Sequence, residues 1–181
     1  MPRLSGWILC FGLAILNVVA LDASGAEYKL TGDNTKIEFE GTKKDGKHSG
    51  SFPKLSGTFD LGEDISKSKI VVLIDMEKLT SDNDMLTGHL KNADFFETKK
   101  FPESKFVSKS IKADKGGYKV TGDLTMHGKT KEISFPAKIT SSNGMATLTS
   151  EFSINRGDWG ITYGAGKIDE AVKMTVSVNA R

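Results

Sequence analysis

Residues 118–139 read YKVTGDLTMHGKTKEISFPAKI, and this stretch indicates the fold most clearly. Apolar residues alternate with polar ones from Tyr118 to Met126, and the same alternation returns from Ile133 to Ile139. Alternation with a period of two is typical of a strand that buries one face. His127-Gly128 lies between the two runs and predicts a tight turn that joins them as a β-hairpin.

The same pattern recurs along much of the chain. Further alternating runs lie at residues 37–40, 146–154 and 172–178, and Gly116-Gly117 and Asn143-Gly144 supply turn signals. Ile70 to Ile74 is apolar throughout, which predicts a strand covered on both faces. Strands do not alternate repeatedly with helices, so an antiparallel sheet is favoured over a parallel one. We therefore predict an all-β fold, an eight-stranded antiparallel barrel with one short helix.

The helix is expected between Ser81 and Phe96. Ser81 or Asp82 can cap its N-terminus. Its apolar face is predicted from helical spacing to carry Met85, Leu86, His89 and Leu90. A partly buried His89 would either contact the polar end of a ligand or satisfy a backbone carbonyl.

Residues 1–26 contain the three parts of a secretory signal peptide. Arg3 precedes an apolar run from Trp7 to Leu21, and small residues follow at Ser24 and Ala26. The alternative is a retained membrane anchor, but residues 7–21 fall short of the roughly 20 apolar residues that a bilayer span requires. We expect cleavage near Ala26 and export of residues 27–181, as one soluble domain, to the periplasm or the medium.

Charge and motifs exclude several functions. The chain has 25 Lys and Arg against 23 Asp and Glu, whereas nucleic-acid-binding proteins usually carry a clear basic excess. Cys10 would leave with the signal peptide, and no phosphate-binding loop, nucleophile elbow or zinc-protease motif occurs. His48, His89 and His127 lie far apart on unrelated predicted elements. We predict no nucleic-acid partner, no metal site, no cofactor and no catalytic residues.

Long and flat side chains occupy the inward positions of the predicted strands. They either pack the core or line a cavity for one small ligand, since an eight-stranded barrel allows both. These residues are Phe39, Met76, Met126, Phe135, Phe152 and Met174.

Residues 156–167, RGDWGITYGAGK, form the most unusual segment. Its glycines allow backbone amides to converge on an anion, and Arg156 offers a planar fork for phosphate or carboxylate. Alternatively, the segment is a long hairpin loop in which Trp159 plugs one end of the barrel and Arg156 packs over it. The two interpretations are compatible.

Five motifs follow one another between Tyr28 and the C-terminus. They are His48-x-Gly50-x-Phe52-x-x-Leu55-x-Gly57, then Ile74-Asp75-Met76 with Leu79-Thr80, then residues 88–96 with Lys100-Phe101-Pro102, then residues 122–131 with Phe135-Pro136, and finally Arg156-Gly157-Asp158-Trp159-Gly160. In this order they resemble the YceI-like family, lipocalin-like proteins described as polyisoprenoid-binding.

The resemblance implies an extended, lipocalin-like barrel around a tunnel that binds an isoprenoid or another long-chain amphiphile. The protein would carry or sequester this ligand and would not act on it as an enzyme. The candidate tunnel-lining residues are Phe39, Phe52, Ile74, Met76, Leu86, Leu90, Phe95, Leu124, Met126, Phe135, Phe152, Trp159 and Met174. The candidate head-group residues at the tunnel mouth are His89, Asp94, Arg156 and Lys167. The alternative function is a barrel enzyme for a lipid or small apolar substrate, with His89 or Asp94 as general acid or base. A carrier would contact membranes transiently, and a monomer is the default expectation.

Overall fold

A computed structural model describes residues 25–181. The predicted signal peptide, residues 1–26, lies outside the described residues except for its last two. Ala26 is the first residue of the first strand. The strands are β1 (Ala26–Thr31), β2 (Thr35–Lys43), β3 (Gly46–Ser51), β4 (Leu55–Leu61), β5 (Lys69–Asp75), β6 (Thr80–Ser81), β7 (Glu103–Asp114), β8 (Gly117–Met126), β9 (Lys129–Ser142), β10 (Met145–Asn155) and β11 (Ile168–Ala180). The α-helix α1 spans Asp84–Leu90.

All strands join one curled antiparallel sheet that forms a half-barrel. The strand order is β1-β4-β5-β7-β8-β9-β10-β11-β2-β3-β6. Strand β9 pairs with β8 through residues 129–137 and with β10 through residues 138–142, so it connects the two halves of the sheet. The core lies on the inner face, where the buried side chains of both halves meet.

The prediction of an all-β antiparallel barrel fold with one helix is confirmed, but the count of eight strands is wrong. Eleven strands form within the described residues. Strands β3 and β6 read GKHSGS and TS, so they carry no large apolar side chains. Both strands are held by backbone pairing at one edge of the sheet, where hydrophobic alternation gives no signal.

Hairpin turns form as predicted at His127-Gly128 and Asn143-Gly144, whereas the third is centred on Lys115-Gly116, one residue before the predicted Gly116-Gly117. His127 and Gly128 have φ angles of 50° and 71°, and Asn143 and Gly144 have φ angles of 52° and 69°. Positive φ at both central residues is the turn geometry that matches the twist of paired strands. At Gly128 a Cβ atom would also lie 2.6 Å from the Phe101 ring, so that position requires glycine.

Strand β5 is covered more on one face than on the other. Ile70, Val72 and Ile74 are buried, whereas Val71 and Leu73 are only half-buried. The prediction of full cover on both faces is therefore wrong. An uninterrupted apolar run shows that both faces of a strand are apolar, but it does not show that other residues pack against both of them.

The helix begins later than predicted. Asn83 caps it, and its side-chain oxygen accepts a hydrogen bond from the backbone N–H of Leu86 at 2.9 Å. Ser81 lies in β6 and pairs with Gly50. The Asp82 carboxylate accepts from the backbone N–H of Ser49, so neither residue is free to cap α1.

The inward face of α1 is narrower than predicted. Leu86, His89 and Leu90 face the interior, whereas Met85 is 86% exposed. Within residues 25–181, no helix has both the length and the apolar character needed to cross a bilayer.

Candidate ligand-binding cavity

An apolar cavity of about 310 Å³ lies inside the curled sheet, bordered by α1. This volume is at the lower end of the roughly 300–1,000 Å³ that is typical of small-molecule sites. The apolar side chains of the wall are Phe39, Phe52, Ile74, Met76, Leu86, Leu90, Phe95, Phe96, Leu124, Met126, Ile154, Ile161, Ile168, Val172 and Met174. Such a wall suits an apolar chain.

Strand register places the wall residues on one face. Met174 of β11 lies opposite Phe39 of β2, and Val172 lies opposite Gly41. Because successive side chains point to opposite faces of a strand, these positions form one inward row. A Cβ atom at Gly41 would meet nothing within 4 Å, which is consistent with open space along this row.

His89 lies at the rim of the cavity. Its Nε2 is 2.9 Å from Oδ2 of Asp94, and its side chain is 34% exposed. The imidazole contacts Phe95 and Tyr163 edge-on, with ring centroids 5.0 and 4.9 Å apart. The carboxylate and the two aromatic rings together fix the orientation of the imidazole.

A second histidine–aspartate pair lies beside the cavity. Nδ1 of His48 is 3.0 Å from Oδ1 of Asp82, and His48 also lines the cavity. The hydrogen bond from the backbone N–H of Ser49 lowers the pKa of the Asp82 carboxyl, and the bond to His48 lowers it further. The rim also contains Lys43 and Asp169.

Arg156 holds residues 156–167, the late loop, in place. It is 5% exposed, and its guanidinium donates to the backbone carbonyls of Ile161, Tyr163, Ile168 and Asp169 at 2.8–3.1 Å. The fork that the anion-site interpretation requires is thus largely occupied by the chain's own carbonyls. The guanidinium remains part of the cavity wall and adds a positive charge there.

Most of the predicted tunnel-lining residues lie in the wall, but Phe135, Phe152 and Trp159 do not. Phe135 and Phe152 stack with ring centroids 4.5 Å apart, and Phe106 packs against Phe135. These three rings fill another part of the interior. Trp159 is 1% exposed and packs inside the late loop.

The predicted head-group residues separate into two pairs. His89 and Arg156 line the cavity, whereas Asp94 and Lys167 do not. Asp94 reaches the rim only through its contact with His89. Lys167 is exposed on the late loop, where its backbone N–H bonds the carbonyl of Gly164.

Sequence reasoning missed two wall residues of functional interest. Tyr163 is 46% exposed at the rim, and its place in the glycine-rich loop was an available signal. Ser104 is buried in the wall on β7, and a serine within an alternating strand gives no such signal. Residues 25–181 contain no group of three or more side chains placed to hold a metal ion.

Comparisons with known proteins give a family match over almost all of the described chain. The model of the YceI-like domain matches residues 28–180. Protein YceI of Salmonella arizonae is 29% identical over 184 residues, which cover 94% of this chain and 95% of that protein.

Solved structures share the fold at lower sequence identity. The crystal structure of Burkholderia cenocepacia BcnA has a TM-score of 0.75 at 21% identity, covering 81% of this chain and 96% of that one. A polyisoprenoid-binding domain from Saccharophagus degradans, described as implicated in plant cell wall breakdown, has a TM-score of 0.68 at 15% identity. That match covers 86% of this chain and 98% of the other.

Proposed function

The chain belongs to the YceI-like domain family, and from this premise we propose that it binds an isoprenoid or another long-chain amphiphile in the cavity beside α1. The observation that carries the proposal is the wall, which is apolar and aromatic, with most of its polar groups at the rim. Each buried CH₂ contributes about 0.8 kcal/mol, so an apolar chain gains free energy without hydrogen bonds. The ligand class named for the Saccharophagus degradans domain supports the same choice.

The polar end of the ligand is placed at the rim in this proposal. His89 and Tyr163 offer polar edges there, and Arg156 contributes a positive charge. Asp94 acts through His89, whose ring it orients. Because the cavity volume is small for such a site, we expect the wall to enclose a segment of a long chain while the remainder extends past the rim.

We further propose that the protein is an exported, non-enzymatic carrier. The signal-peptide pattern of residues 1–26 supports export to the periplasm or the medium. A carrier of this kind loads and unloads its ligand during transient contact with a membrane, and we expect it to act as a monomer.

One observation favours an enzyme as the second candidate. His89 and Asp94 form a pair at the rim of an apolar cavity, and a carboxylate-oriented imidazole is a common general base. In that case, wild type would convert a bound lipid ester, and His89→Gln would bind the ester without converting it. Unchanged ester after prolonged incubation with wild type contradicts this second function.

Two neighbouring residues of α1 provide a matched test of the cavity. Leu86 lines the wall and is half-buried, whereas Met85 is 86% exposed. Leu86→Trp fills the cavity, so we expect the affinity for a ubiquinone with two isoprene units to fall at least about tenfold, the equivalent of 1.4 kcal/mol. Met85→Trp adds a comparable ring outside the cavity and keeps wild-type affinity.

The affinities are measured by isothermal titration calorimetry. Circular dichroism melts of both variants establish that they remain folded. Equal affinity of folded Leu86→Trp and Met85→Trp would contradict binding in this cavity.

A further inference from the structure

Ser104 is a buried polar residue in the cavity wall. It is 2% exposed and lies near the start of β7. Its hydroxyl oxygen has no hydrogen-bond partner within the described part of the chain. A buried hydroxyl without a partner has lost its hydrogen bonds to water and forms none within the protein, so it destabilises the folded state.

Two other serines of the same sheet, one buried and one half-buried, are satisfied. The hydroxyl of Ser108, also in β7, accepts from the backbone N–H of Ile70 at 2.8 Å. The hydroxyl of Ser150 in β10 donates to the carbonyl of Pro136. Ser104 departs from this pattern at a position where its side chain faces the cavity.

The surroundings of Ser104 are apolar. Ile74 lies opposite it on β5, and both Ile74 and Met126 are buried in the cavity wall. The ionisable residues Lys43, His48, His89 and Asp169 of the wall lie on β2, β3, α1 and β11 and not on β5, β7 or β8. The guanidinium of Arg156 is engaged by backbone carbonyls. None of the wall residues on β5, β7 or β8 is charged, so an ionised group beside Ser104 would be desolvated with no counter-charge on these strands, whereas a neutral group would not suffer this cost.

We propose that Ser104 hydrogen-bonds a neutral polar group, such as a ketone, ester, amide or hydroxyl, on the part of the ligand that lies against β7. The cavity then selects chains that carry such a group over plain hydrocarbon chains. This inference rests on the proposed function and adds to it the chemistry of the buried part of the ligand. A site built to hydrogen-bond a substrate group disfavours an analogue that lacks it, because its own polar atom stays unpaired.

A positional series of keto acids tests the proposal. The probes are stearic acid and oxostearic acids that carry the ketone at successive chain positions, with the carboxylate remaining at the rim. In wild type, we expect one ketone position to bind about fivefold more tightly than stearic acid, as one hydrogen bond allows. Ser104→Ala abolishes this gain and binds stearic acid unchanged, whereas Ser104→Thr retains the hydroxyl and the gain.

Thermal stability without ligand distinguishes a ligand-binding hydroxyl from a structural one. Ser104→Ala removes an unpaired group, so its melting temperature stays at or above that of wild type. Ser150→Ala is the matched control, since it removes a hydroxyl that bonds a backbone carbonyl, and it melts several degrees lower. An equal loss in Ser104→Ala would identify a structural hydrogen bond and overturn the proposal.

The remaining outcomes distinguish a failure of this inference from a failure of the proposed function. If all members of the series bind equally to wild type and to Ser104→Ala, the role of Ser104 is overturned and the proposed function stands. If neither the acids nor the ubiquinone binds wild type, the proposed function fails and this inference fails with it.

Discussion

The indole Nε1 of Trp159 donates a hydrogen bond to the backbone carbonyl of Leu124, 3.1 Å away. Leu124 belongs to the cavity wall, whereas Trp159 is fully buried behind it. The bond therefore ties the late loop to β8, and the loop that completes one side of the cavity is part of the folded core.

Trp159→Phe tests this attachment. The variant keeps an aromatic ring but loses the indole hydrogen bond to the Leu124 carbonyl, so we expect the free energy of unfolding to fall by about 1 kcal/mol. Urea unfolding followed by circular dichroism measures the loss. Tyr163→Phe, at a half-exposed ring, is the control and stays within about 0.5 kcal/mol of wild type. Equal stability of the two variants would show that the indole bond contributes nothing.

Arg156→Lys separates the two interpretations of the late loop. Lysine keeps the charge, but its single ammonium cannot satisfy all four carbonyls that the guanidinium fork bonds, and each at least partly buried carbonyl left unpaired costs about 1 kcal/mol or more. We expect a loss of about 3 kcal/mol or more in urea unfolding, with Lys167→Met unchanged. Wild-type stability of Arg156→Lys would contradict the structural role and favour an anion site.

Sequence periodicity predicted the strands well because it is a local consequence of burying one face. It could not place the cavity along the inner face, since packed and cavity-lining positions have the same alternation. Phe135 and Met126 illustrate this limit: both point inward, yet Phe135 stacks on Phe152 while Met126 lines the cavity.

The features that local sequence patterns did not predict depend on contacts between residues that are distant in the sequence. Asp82 is a good helix cap by type, but its carboxylate binds Ser49 and His48 on β3, more than 30 residues away in sequence. The unpaired state of Ser104 likewise depends on which atoms surround it in the folded sheet.

Alanine substitutions at two glycines should change the free energy of unfolding in opposite directions. Gly128→Ala introduces a Cβ atom 2.6 Å from the Phe101 ring at a φ of 71°, so it lowers the free energy of unfolding by more than about 1 kcal/mol. Gly88→Ala lies in α1 with nothing within 4 Å of the new atom, and helix propensity predicts a gain of about 0.5–1 kcal/mol. Denaturant unfolding measures both, and a loss in Gly88→Ala would contradict the open surroundings described for it.

The pair between Asp82 and His48 predicts a pH dependence. The pKa of Asp82 is lower in the folded state, chiefly through the Ser49 N–H, so the unfolded chain binds more protons than the folded one in this range. The stabilisation is complete above the ordinary carboxyl pKa of about 4 and disappears as pH falls through the lower folded pKa.

Asp82→Asn should accordingly be less stable than wild type at about pH 7, and the difference should shrink in acid. Urea unfolding at several pH values measures it. Asp45→Asn, in the exposed turn between β2 and β3, is the control and shows no such pattern. If the difference in stability between wild type and Asp82→Asn stayed constant down to about pH 2, the pKa of Asp82 would not be lowered in the folded state.

Mass spectrometry of lipid extracted from the gently purified protein is the measurement that decides whether the cavity holds a lipid. We expect a stoichiometric isoprenoid or other long-chain amphiphile in wild type and in Met85→Trp, and a strongly reduced amount in Leu86→Trp. A protein that carries no such lipid, and that also fails to take up quinones or polyprenyl phosphates afterwards, would contradict the proposed function.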